Sequence, residues 1–163
     1  MNNIIDLIFI FGAKYLYLLV IVIAGAWFLI QLKATKKEIL LVASSCLVLA
    51  FIIFKIAGYL YYNPRPFVVG NFTPLVRHAA DNGFPSHHAF LVALISAVVF
   101  IFNRRLGIVL WVLAFWVSFS RVYVGVHHII DVLASIAITI VSVISVCYFR
   151  KTWGRFCGFL KKL

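Results

Sequence analysis

The chain has 163 residues, 65% of them hydrophobic and only 12% charged, and a net charge of +11 at neutral pH. A water-soluble domain carries about half apolar and a quarter charged residues, so this composition excludes an ordinary soluble fold and points to lipid contact. Lys and Arg lie between and beyond the apolar runs, which excludes nucleic acid as the partner of the charge and fits a membrane protein.

A membrane crossing needs about 20 mostly apolar residues. Residues 2–13 are short and apolar and carry Asp6, so they read as an interfacial helix rather than the basic start of a leader peptide. The first span is expected over Tyr15–Leu32, with one long tilted helix over residues 2–32 as the alternative. A basic turn with Lys33, Lys36 and Lys37 leads to a second span, Ile39–Leu60, which carries Lys55 near its end.

Residues 61–85 form the one long connection. They hold all four prolines, so regular helix is not expected there, and they are too apolar for a disordered segment. The third span is expected over Ser86–Phe102, the fourth over Leu106–Tyr123 and the fifth over His128–Tyr148. A basic tail, Arg150–Leu163, reads as a membrane-surface segment. Cys46, Cys147 and Cys157 are too far apart for a metal pair or a disulfide framework. The expectation is one domain over residues 1–163: an all-α, polytopic membrane helix bundle of about five transmembrane helices plus the N-terminal interfacial helix.

Five spans fix sidedness by alternation. Ten of the 15 basic residues fall on one side: Lys33, Lys36, Lys37, Arg104, Arg105, Arg150, Lys151, Arg155, Lys161 and Lys162. The positive-inside rule places that side, with the C-terminus, in the cytoplasm and the long loop outside. All five histidines, His78, His87, His88, His127 and His128, then lie on the outer side, with Asp81 and Asp131.

Three distant segments carry the chemistry. Pro85-Ser86-His87-His88 precedes an apolar run and reads as a helix N-terminus, where free N–H groups and the helix dipole favour an anion. Read structurally, the same residues are two histidines at a wet helix end. In Ser120-Arg121-x5-His127-x3-Asp131, His127 and Asp131 share a helix face. A carboxylate there can hold one ring nitrogen and leave the other to attack or to accept a proton. Arg121 can offer a planar fork to phosphate oxygens; alternatively it is an interfacial Arg, with Asp131 merely near a helix start. Lys55 can snorkel to headgroups and Arg65 can be a loop charge. Together, Lys55, Arg65 and Arg121 are expected to converge on a mouth with His88, His127 and Asp131, a phosphate site in which fixed cations take the place of a metal.

Lys55…Arg65-Pro66, Pro85-Ser86-His87-His88 and Ser120-Arg121…His127…Asp131 resemble the signature of the type 2 phosphatidic acid phosphatase superfamily, over about residues 38–150. Nine residues separate Lys55 from Arg65, more than the commonest family spacing, and His87 stands where Gly or Asp is usual. The resemblance implies His127 as a nucleophile forming a phosphohistidine, Asp131 orienting it and His88 protonating the leaving oxygen. It also implies phosphoryl binding by Lys55, Arg65, Arg121, Ser86 and His87, with no metal and no cofactor.

The stretch Leu75–Ala89 is similar to bacterial undecaprenyl-diphosphate phosphatases. That similarity implies hydrolysis of the cell-wall lipid carrier outside the cytoplasmic membrane, with Arg77 and His78 as contacts of a second phosphate. The expected partners are a polyprenyl or glycerolipid phosphate and membrane lipids. Phosphatidylglycerophosphate, phosphatidate or lipid A hydrolysis, or phosphotransfer between lipids, would use the same motifs. The other readings are a metal- or haem-binding membrane protein, which the nearby cations oppose, and a scaffold with a dead site.

Overall fold

The computed structural model describes residues 3–160, with side chains described through Lys151. The described residues form helices α1 (Ile4–Lys14), α2 (Leu16–Leu29), α3 (Lys33–Leu60), α4 (Pro66–Val69), α5 (His87–Phe102), α6 (Arg104–Tyr123) and α7 (Ile129–Leu160). Among them there is no strand, only an isolated bridge between Pro64 and Asn82.

The chain is an all-α membrane bundle. Three helices are long and apolar enough to cross a bilayer: α3, α6 and the Ile129–Lys151 part of α7, with mean hydropathies of 2.7, 1.7 and 2.5. α1 and α2 pass the same test only as a pair, bent by 48° at the break between them, the geometry of a broken span or a re-entrant loop. The alternative of one long helix over residues 2–32 is therefore corrected: the chain breaks at Tyr15. α5, with 16 residues, is short for a crossing and lies at the centre, packed by α2, α3, α6 and α7. Length and composition thus support three or four crossings where five were expected.

Helical periodicity explains the packing. α3 turns Val42, Cys46, Ala50 and Phe54 inward at steps of four, against Phe90, Leu94 and Val98 of α5 and Val143 and Val146 of α7. Its Leu40, Leu47 and Phe51 stay exposed, as do Ile108, Val112, Phe115 and Phe119 of α6. In water such apolar faces would be a liability; in lipid they are the ordinary exterior. Small residues permit close approach. A side chain at Gly107 would run into the Phe100 backbone.

α1 was expected as an interfacial helix, and it docks on the end of α6. The Phe9 ring stacks on Tyr123 at 4.0 Å and also meets Trp116 and Phe119. The Tyr123 hydroxyl donates to Asp6 Oδ1 at 3.1 Å, and Gly12 packs against Ser120. At the other end of the chain, α7 runs unbroken past Tyr148 to Leu160, where a separate surface tail was expected. Arg150 donates to Glu38 Oε1 at 3.2 Å, tying α7 to α3. The expected roles of Arg155, Lys161 and Lys162 fall outside the described side chains. The long loop contains one helical turn that was not expected, α4, started by Pro66 at its first turn, where the missing N–H costs nothing.

Candidate active site

The loop from Tyr61 to Ser86 is shaped by one amide. Asn82 Oδ1 accepts from the N–H groups of Asn63 and Phe84, both at 3.0 Å. Its Nδ2 donates to the carbonyls of Gly58 and Tyr61 at 3.0 and 3.1 Å. This folds residues 82–84 back onto the end of α3 and sets Asn63, Pro64 and Arg65 over the turn between α6 and α7.

Arg65 is buried, 3% exposed, and acts as the hub. Its Nε donates to Asp81 Oδ1 at 2.7 Å, and its Nη1 donates to the Val126 carbonyl at 2.8 Å and lies 3.3 Å from His127 Nε2. The opposite ring nitrogen, His127 Nδ1, is 3.3 Å from Asp131 Oδ2. A guanidinium can only donate. His127 Nε2 is therefore the lone-pair nitrogen, and the ring proton sits on Nδ1 facing Asp131.

Asp131 is fully buried. Besides His127, its carboxylate accepts from Asn63 Nδ2 at 2.7 Å and from the His128 N–H at 2.8 Å. The His128 ring lies 3.1 Å from the Pro64 carbonyl, pinning the loop from the other side. The α6–α7 turn needs Gly125, whose φ is +80°. A Cβ there would also lie 2.7 Å from the Phe72 ring.

Arg121 is buried beside this group. Its carbonyl accepts from the Val126 and His127 N–H groups, both at 3.3 Å, and its Nη1 donates to the Ala13 carbonyl at 3.4 Å. Its Nε and Nη2 have no hydrogen-bond partner among the described residues, nor do the buried hydroxyls of Ser86 and Ser120. A buried guanidinium with two unused donors is costly unless an anion meets it.

The Ser86 N–H donates to the Asp131 carbonyl at 3.1 Å, so the amides at the start of α5 that are left for an anion begin at His87. The Ser135 hydroxyl lies 2.9 Å from both the Ser86 and Asp131 carbonyls, joining the starts of α5 and α7. His88 is half-buried, edge-on to Tyr17 at 4.9 Å. His78 is half-buried, its ring 6.3 Å from that of His127.

Three expected site residues stand apart. Lys55 is exposed, its ammonium 5.7 Å above the Phe51 ring, and it makes no hydrogen bond to the Arg65–His127 group. His87 is exposed and rests on Phe54 at 4.8 Å. Arg77 is exposed, with no hydrogen bond or ion pair among the described residues. Of the three expected cations, Arg65 and Arg121 are buried in this group, while Lys55 is exposed, over a neighbouring ring of its own helix and within reach of the His87 charge. Among the described residues no three His, Cys, Asp or Glu side chains group as a metal-binding set.

Outside the spans, the titrating groups respond to this setting. His127 is held below the usual imidazole range, first by burial and then by Arg121 and Arg65, against the opposing pull of Asp131. His78 is lowered as well, by burial and by Arg65. For Asp81, burial acts to raise the carboxyl, but the hydrogen bond and charge of Arg65 outweigh it and hold it below the usual range. The arrangement presents a neutral imidazole with one aimed lone pair beside two buried guanidinium groups. It can deliver a nucleophile to an anionic centre.

Sequence reasoning missed Asn63 and Asn82. Both sit among prolines and glycines and read as turn formers; nothing in the local pattern says that Asn63 reaches a carboxylate 68 positions away. A cleft of about 720 Å³ leads to His127 between Phe72, Leu75, Tyr123 and Ile129.

Residues 14–155 match the PAP2 superfamily. Undecaprenyl-diphosphatase BcrC of Bacillus subtilis (strain 168) is 32% identical over 149 residues, covering 91% of this chain and 76% of the relative. Putative undecaprenyl-diphosphatase YbjG of Escherichia coli (strain K12) is 35% identical over 129 residues, 78% of this chain and 64% of the relative. The crystal structure of Aquifex aeolicus LpxE superposes with a TM-score of 0.71 at 20% identity, over 91% of this chain and 88% of that one, and shows the shared fold. The chain belongs to the PAP2 superfamily and is a membrane lipid phosphatase.

Proposed function

We propose that the chain hydrolyses a polyprenyl diphosphate, undecaprenyl diphosphate foremost, to the monophosphate and inorganic phosphate at the outer face of the cytoplasmic membrane. The observation that carries the chemistry is the clamped His127 ring, with Nδ1 toward Asp131 and Nε2 toward Arg65. The named activity of the two curated relatives supports the substrate. The excess of Lys and Arg at the opposite end of the bundle supports the outward site.

In this reading the terminal phosphoryl group enters between Arg65 and Arg121. The unused Nε and Nη2 of Arg121, the Ser86 hydroxyl and the first amides of α5 hold its equatorial oxygens. The Arg65 donor moves from Nε2 to a phosphoryl oxygen, freeing the lone pair. Nε2 attacks phosphorus in line, the bond to the bridging oxygen breaks, and His88 gives that oxygen a proton. Asp131 holds the Nδ1 proton as positive charge develops on the ring. Water then attacks the phosphohistidine, returns a proton to His88 and releases phosphate. In this reading the exposed Lys55 and Arg77 meet the outer parts of the headgroup.

The test is phosphate release by purified protein in detergent with EDTA, comparing undecaprenyl diphosphate, undecaprenyl phosphate, phosphatidate and phosphatidylglycerophosphate, with His127→Ala alongside. Preference for the diphosphate, abolished by the substitution, is the expected result. Preference for a monophosphate overturns the substrate and keeps the mechanism. Full activity of His127→Ala overturns the mechanism.

A further inference from the structure

One face of α1 is built for close contact. Asp6, Phe9, Ile10 and Ala13 recur at steps of three and four and meet α6 and the α6–α7 turn. Phe9 stacks on Tyr123. Ala13 is buried with Val76 of the long loop and with Val124 and Val126 of the turn that leads to His127. On the other side of the helix, Ile4, Leu7, Ile8 and Phe11 are exposed.

At the C-terminal end of the packed face the contact is made by backbone. The helix breaks at Tyr15, so Ala13 belongs to the last turn of α1, where carbonyls lack partners within the helix. The Ala13 carbonyl accepts from Arg121 Nη1 at 3.4 Å across 108 positions of sequence. Carbonyls gathered at a helix end carry partial negative charge and favour a cation. Among the described residues this is the hydrogen bond that the Arg121 guanidinium makes, and its Nε and Nη2 are left over.

Gly12 permits the approach. A Cβ there would overlap the Ser120 hydroxyl and lie 3.0 Å from the Trp116 ring nitrogen. Gly12 thus meets Ser120, and Ala13 meets Arg121: two consecutive residues of α1 against two consecutive residues of α6. A helix that merely covered the bundle would need neither a missing side chain nor a backbone acceptor at this point.

We infer that α1 is a positioning element of the active site: Gly12 brings the Ala13 carbonyl onto Arg121, which fixes the guanidinium with its Nε and Nη2 free for the phosphoryl group. The inference rests on the reading of Arg121 as a holder of that group and adds what aligns it. Gly12 and Ala13 are positioning residues, since both act through Arg121.

The test uses undecaprenyl diphosphate as substrate and orthovanadate, a five-coordinate mimic of the transferring phosphoryl group, as inhibitor. Gly12→Ala should lower kcat by about tenfold or more, keep KM within about twofold, and raise the vanadate Ki by a like factor. Adding Ser120→Gly opens the overlap and should bring kcat and Ki back to those of Ser120→Gly alone. Phe9→Ala loosens the docking face without adding a clash, and should move kcat and Ki together in the same direction by a smaller factor. It decides the question if Gly12→Ala does not fold. Variants that elute and melt like wild type and keep its kcat and Ki overturn the inference. So does a lower kcat with an unmoved vanadate Ki, or a higher KM with unchanged kcat, because either puts the effect of α1 away from the phosphoryl group. If vanadate fails to inhibit the wild type, the phosphohistidine reading itself fails, a result distinct from a loss confined to the variants.

Discussion

Asn63→Ala tests how the His127–Asp131 pair is held. The wild-type amide donates to buried Asp131 Oδ1 at 2.7 Å, one of three donors on that carboxylate. A hydrogen bond to a charged group is worth about 1.5–3 kcal/mol. If that energy serves to place Asp131 against the ring that becomes charged in the transition state, its loss lowers kcat by about 10- to 100-fold and changes KM little. The pH profile carries a second signature. The charged and titratable groups around His127 are Asp131 from α7, Arg121 from α6, His88 from α5, and Arg65 and His78 from the loop, with Asp81 behind Arg65. In the wild type, burial and the two guanidinium groups outweigh Asp131 and keep His127 below its usual range. The acid limb of kcat/KM should therefore lie below about pH 6.5. With one donor fewer, Asp131 pulls harder on the Nδ1 proton, the imidazolium is favoured, and the limb moves to higher pH. The assay is phosphate release from pH 4.5 to 8, with a thermal melt as control. A folded variant with wild-type kcat and an unmoved acid limb refutes the reasoning.

Gly125→Ala adds a side chain at φ +80°, costing about 1–2 kcal/mol in the backbone alone, and brings it against the Phe72 ring. A lower melting temperature is expected, and a Phe72→Ala background should recover the contact part of the loss but not the backbone part. Asp81→Asn removes the ion pair with Arg65 Nε. Because the Asp81 carboxyl is held below its usual range, its stabilising contribution is present above the ordinary carboxylate pKa and is lost as pH falls through the folded value. The variant should therefore melt slightly lower than wild type at pH 7 and converge with it in acid. Asp81 is largely exposed, so a small shift is expected; a gap that widens in acid contradicts the assignment.

The bundle and the chemical triplet were legible for different reasons. Apolar length alone announced α3, α6 and α7, because a lipid exterior leaves no need for alternation. Arg121, His127 and Asp131 were legible as a group because helix geometry and one tight turn link them locally. Arg65 could be suspected from the Arg65-Pro66 resemblance and from sharing an end of the bundle with them, and its actual contacts depend on the fold of a proline-rich loop. Asn82, which sets that fold, makes four hydrogen bonds to residues before and after it, and none of these follows from local pattern. Position along a helix fixes height but not direction, so the exposed setting of the Lys55 ammonium over the Phe51 ring follows only from the fold. The docking of α1 on α6 was hidden as well, since Phe9 and Tyr123 meet across more than a hundred residues.

The Ser135 hydroxyl, shared between the Ser86 and Asp131 carbonyls, has a mechanical corollary. Together with the Ser86 N–H on the Asp131 carbonyl, it welds the start of the helix bearing His88 to the start of the helix bearing Asp131. The two helix starts are thus held in one fixed register. The proline-rich loop faces them and is held by Asn63, Arg65 and the Pro64 carbonyl, by the Leu75 N–H on the Val124 carbonyl, and by Val76 buried against Val124 and Val126. The spacing between His88 and Asp131 is thereby set by hydrogen bonds between the two helix starts, independently of the loop that carries Arg65.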